Sequence, residues 1–121
     1  MMPRNFAFLT VRKVLAINLG LVWLLYLVSF YAAWSGNFTV ALYAPYLAGV
    51  NALLHVMWWL RLRVYNPGLV TALILFAPGA YYTIVSVSGA ATVDHLTALG
   101  GAVLVHLVLV GLGRGMFLKA L

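Results

Sequence analysis

The 121-residue chain contains no cysteine and a single acidic residue, Asp94. Without cysteine there is no disulfide framework, no iron–sulfur cluster and no thiolate zinc site. With one acid there are no paired carboxylates for general acid–base work and no carboxylate cage for zinc or a di-iron centre. A Ser/His/Asp set and a phosphate-cradling loop are missing too; Gly111-Leu112-Gly113-Arg114-Gly115 is rich in glycine but follows an apolar stretch instead of opening a helix. Charge of either sign is scarce, 7% of residues where a soluble domain carries roughly a quarter.

What the chain has is apolar length. Hydrophobic residues make up 66% of it, in four runs at about 14–34, 38–60, 68–87 and 92–112. Each is long enough to cross a hydrocarbon core of roughly 30 Å. All seven basic residues flank these runs on one side. Arg4, Arg12 and Lys13 precede the first, Arg61 and Arg63 separate the second from the third, and Arg114 and Lys119 follow the fourth. The connections at Ser35-Gly36-Asn37 and Ser88-Gly89-Ala90 carry none. Basic residues of short loops stay on the cytoplasmic side. The expected fold is therefore all-α: one domain over residues 1–121, a polytopic antiparallel four-transmembrane-helix bundle with both termini cytoplasmic, in a bacterial inner membrane. The net charge of +6 follows from this orientation and from anionic lipid headgroups, so a nucleic-acid partner is not expected. The basic start runs into an apolar segment too long for a signal core, and no cleavable signal peptide is expected.

Details of the four runs add further expectations. Pro45 predicts a kink near Ala41, and Pro78-Gly79 interrupts the third span. Ala98 and Ala102, like Gly111 and Gly115, stand four apart, a spacing that lets membrane helices approach closely. Tyr31, Trp34, Tyr43 and Tyr46 form an outer aromatic belt, and Trp58, Trp59 and Tyr65 an inner one. Asn37-Phe38-Thr39 fits a glycosylation sequon on the outer side. Asp94 sits where an acid favours the positive end of a helix dipole.

The inner half of the membrane holds polar residues while the outer half is nearly bare. At about 1.5 Å of rise per residue, His55 lies roughly 9 Å from the inner boundary, His106 roughly 12 Å and Asn18 roughly 7 Å. Thr71 comes one turn into the third span, and Asn51 stands one turn above His55 on nearly the same face. Asn18 and Thr71 are read as hydrogen-bonding groups at helix interfaces. His55 and His106 divide between that reading and axial ligation of a metal-centred tetrapyrrole by neutral imidazole, a haem or (bacterio)chlorophyll, with Asn51 beside them. Ala102-Val-Leu-Val-His106-Leu looks like the Ala-x-x-x-His-Leu stretch of bacterial light-harvesting polypeptides. His95 lies about 16 Å from His106 along the same helix, too far to share a metal ion.

A longer pattern also resembles a known family. Asn51-x-x-x-His55, then Tyr65-Asn-Pro67-Gly68-Leu-Val-Thr71-Ala72-Leu, then Pro78 is similar to the C-terminal half of the HXXEE-domain membrane proteins. The His followed by two glutamates that names the family has no counterpart, because the chain has no glutamate. The resemblance implies a shared membrane scaffold and, if the family is enzymatic, a chain without the acidic part of its site. Two functions are therefore expected. The first is a small non-catalytic integral membrane subunit, a scaffold, assembly or accessory protein of a larger complex or of a self-association. It would hold a haem or (bacterio)chlorophyll through His55, His106 or both. The alternative is a membrane-embedded enzyme acting on a lipid at the cytoplasmic leaflet through Asn51, His55 and His106. A transporter ranks behind both, since no ionisable relay crosses the bilayer.

Overall fold

A computed structural model of the protein describes residues 16, 20, 22–63, 65 and 68–119, the last seven by backbone alone. Arg4, Arg12, Lys13, Asn18 and Pro67 lie outside the described residues. Among those described all regular secondary structure is helical. Helix α1 covers Trp23–Trp34, α2 Phe38–Leu62, α3 Leu69–Ser86 and α4 Thr92–Lys119. Three of them, α2, α3 and α4 up to Leu112, are long and apolar enough to cross a membrane, and α1 is a shorter apolar helix.

Local sequence sets the turns. After α1, Asn37 donates its amide to Ala32 O at 2.8 Å and Gly36 to Ala33 O at 3.2 Å. This paired closure needs a left-handed residue, and Gly36 supplies it at φ 83°. Asn37 then caps α2, its Oδ1 accepting from the amide of Val40 at 3.2 Å. At its other end α2 stops on Arg63, a non-glycine residue at φ 55°. Gly68, at φ 94°, opens α3.

Both prolines are accommodated within continuous helices. Helix α2 passes through Pro45 uninterrupted, and Pro45 is among the most deeply buried side chains. In α3 the accommodation lies upstream of Pro78. Ala72–Phe76 forms a π-helical turn, and it contains Ile74, the residue whose carbonyl Pro78 cannot bond and would crowd. The helix then continues through Ser86. Helix α4 runs on past Leu112 to Lys119, because no proline follows to stop it.

Helix α2 is the hub: α1, α3 and α4 each pack against it. The seam is rich in alanine, with Leu42, Pro45 and Leu69 buried beside it. Ala41, Ala44, Ala48 and Ala52 of α2 are buried, facing Ala32, Ala72, Ala80 and the fully enclosed Ala98 and Ala102 of the other helices. The Ala98/Ala102 spacing thus serves the α2–α4 contact. Large apolar side chains point the other way; Trp34 is 83% exposed and Leu107 66%. Small inside and large apolar outside inverts the arrangement of a water-soluble domain, where hydrophobic burial drives packing. It suits a lipid surround, where helices associate through close packing instead.

Candidate functional site

The polar side chains fall into three groups. The first lies at the outer ends of α2 and α4, in the half of the membrane expected to be bare. Asp94, in the first turn of α4, accepts from the amide of Ala91 through Oδ2 at 2.8 Å, the half of a capping box that reaches back to the helix start. Its Oδ1 accepts from the Thr39 hydroxyl of α2 at 2.5 Å. One residue on, His95 Nδ1 pairs with the Tyr46 hydroxyl at 2.9 Å, the two rings edge to face. The sole acid of the chain is therefore an interhelical clasp as well as a cap. Both polar residues of the sequon have structural partners, Asn37 as a cap and Thr39 on Asp94. Tyr43 and Tyr46 do not join the outer belt. Tyr46 turns to His95, and the Tyr43 ring lies against Gly101, whose missing side chain makes room for it. Tyr31, Trp34, Trp58, Trp59 and Tyr65 are exposed, as belt residues would be, and Tyr81 and Tyr82 of α3 join them.

The second group is at the inner turn. The imidazole of His55 packs on Gly68, where an added Cβ would lie 3.0 Å from Cε1 and 3.2 Å from Nε2. The left-handed glycine and the histidine thus form one joint between the end of α2 and the start of α3. Thr71 is exposed on α3.

The third group shares a cavity of about 170 Å³ at the centre of the bundle, lined from all four helices. Tyr26 of α1, Asn51 of α2 and His106 of α4 reach it among apolar neighbours that include Ala48, Phe76 and Leu109. Asn51 and His106 therefore converge, while His55 is not among the lining residues. Tyr26 is the member that sequence reasoning missed; a tyrosine inside an apolar run gives no signal until the bundle is assembled. His106 Nδ1 lies 2.8 Å from the carbonyl of Ala102. A carbonyl only accepts, so Nδ1 carries the proton, which leaves Nε2 as the acceptor whenever the ring holds a single proton. Among the described residues the Asn51 amide and the Tyr26 hydroxyl have no hydrogen-bond partner.

Size limits what the cavity takes. An apolar cavity of about 150 Å³ accommodates a molecule of benzene's size, and drug-sized ligand pockets start near 300 Å³. A tetrapyrrole macrocycle is several times larger and does not fit inside; one ligated by His106 would have to lie outside the bundle. Among the described residues there is no group of three His, Cys, Asp or Glu side chains that could hold a metal ion.

Three helices of membrane-crossing length, an alanine seam and an apolar exterior define an integral membrane helical protein. Within that class the family profile described as "Protein of unknown function with HXXEE motif" matches residues 1–83, and the chain belongs to the HXXEE family. The match contains Tyr26, Asn51, His55 and Gly68 and ends within α3, so α4 with His106 lies beyond it. No curated protein and no solved structure matches the chain.

Proposed function

We propose that the chain is a small non-catalytic integral membrane subunit that assembles with other membrane proteins or with itself. In this reading its four helices span a bacterial inner membrane with both termini cytoplasmic. The observation that carries it is the division of α4. Ala98 and Ala102 are consumed against α2, whereas Gly111 is exposed and a Cβ there would meet nothing within 4 Å. A glycine open to the outside of a membrane helix, among exposed Leu107, Val108 and Leu112, is suited to close approach by a further helix. Commitment of the only acid to Thr39 and Ala91 supports a structural role over a catalytic one.

The test is extraction from the native membrane in a mild detergent, followed by native electrophoresis and a visible spectrum. The protein should migrate in an assembly larger than its own 13.2 kDa, and Gly111→Leu should release it with the helical content kept. A chain that runs alone and turns over a membrane lipid would establish the HXXEE-like lipid enzyme instead. A Soret or near-infrared band lost in His106→Phe would make the subunit a pigment carrier, with the macrocycle on the outside of α4.

A further inference from the structure

The central cavity has an entrance. Helices α1 and α4 both pack on α2 and scarcely touch each other among the described residues. The α4 side of the lining is made by Val105 and Leu109, 45% and 58% exposed. The cavity is therefore open beside α4, toward the lipid, and what enters is soluble in the membrane. Its apolar walls accept a group of about benzene's size, while three polar side chains of the lining set the chemistry of its head. His106 Nε2 accepts, the Asn51 amide donates and accepts, and the Tyr26 hydroxyl does both. A carbonyl-headed molecule would leave Nε2 without a donor. An alkane would leave all three polar groups unpaired, at a cost to binding. A hydroxyl donates to Nε2 and accepts from Asn51 or Tyr26 at once.

We propose that the cavity lined by Tyr26, Asn51 and His106 binds the hydroxyl end of a membrane-soluble alcohol. The rest of the molecule trails into the bilayer past the exposed Val105 and Leu109. Two sources share this chemistry, a chain alcohol of the prenyl type and a phenolic or quinol head. The proposal concerns ligand binding alone and stands whether or not the chain assembles with partners.

The experiment uses the full chain in phosphatidylcholine nanodiscs and tritiated farnesol, with farnesyl methyl ether and a short-chain quinol as competitors. Farnesol should bind saturably, and the methyl ether, which cannot donate to Nε2, should compete about tenfold less well. His106→Phe should weaken farnesol about tenfold and leave the weak affinity for the ether unchanged, which also shows that the variant folds. Asn51→Leu, which removes a donor that both oxygens accept from, should weaken the two alike. His106→Gln, whose amide oxygen accepts, should recover part of the loss. A quinol that displaces farnesol at lower concentration assigns the aromatic source, and one that displaces it poorly assigns the chain alcohol. Equal affinity for alcohol and ether, or unchanged binding in both variants, would reduce the site to an apolar void and overturn the proposal. Absence of saturable binding by farnesol and quinol alike would also overturn it, leaving a cavity filled by water.

Discussion

At the scale of single residues, glycine marks where side chains of neighbouring helices must be accommodated. Gly68 is constrained twice, by φ 94° and by a Cβ position 3.0 Å from the imidazole of His55. A left-handed backbone costs a residue with a side chain roughly 1–2 kcal/mol, and here the ring must move as well. Gly68→Ala should therefore lower stability by about 2 kcal/mol or more in an SDS-unfolding titration. Gly79→Ala is its matched control, with no atom within 4 Å and a helical backbone; it should be neutral or stabilising by roughly 0.5–1 kcal/mol. If both substitutions cost the same, the His55–Gly68 joint does not exist. The Tyr-x-Pro-Gly pattern showed that a turn belongs here, but not that its glycine receives the histidine one helix back.

At the scale of elements, the α2–α4 seam determines the architecture. Ala98 and Ala102 against the alanines of α2 bring the backbones close, and Gly101 receives the Tyr43 ring. Gly101→Ala should destabilise by about 1–3 kcal/mol through overpacking, while adjacent Gly100→Ala, with open space at its Cβ, should be tolerated. Combining Gly101→Ala with Tyr43→Ser should recover most of the loss, read as a coupling energy in a double-mutant cycle. The outer clasp belongs to the same seam. Asp94→Ala removes a cap and a cross-helix bond together, and unfolding at a lower SDS fraction in the same titration is expected. The capping role was legible from an acid at the start of an apolar run. Its bond to Thr39 was not, because 55 residues separate the two and only the packing of α4 on α2 joins them.

At the scale of the molecule, the proposed orientation rests on charge placement and can be tested because the chain lacks cysteine. Single cysteines replacing Ser35 and Ser88 should react with a membrane-impermeant maleimide from outside intact cells, and one replacing Arg63 only after the membrane is opened. Labelling of Arg63→Cys in intact cells would reverse the topology. Such a reversal would leave the alanine seam and the central cavity intact, since neither depends on which way the bundle faces.

Composition and run lengths determined the helical class, the apolar exterior and the number of apolar stretches, because crossing hydrocarbon requires backbone hydrogen bonds to close within each segment. The spacing of Asn51, His55, Gly68 and Thr71 indicated the family. Helix rotation was decided by tertiary structure alone. Apolar runs are hydrophobic on every side, so hydropathy cannot show which face a histidine presents. Packing of small residues on α2 set that rotation. It sent His55 to Gly68 and Thr71 to the surface, and brought Asn51 and His106 together with Tyr26 around one cavity.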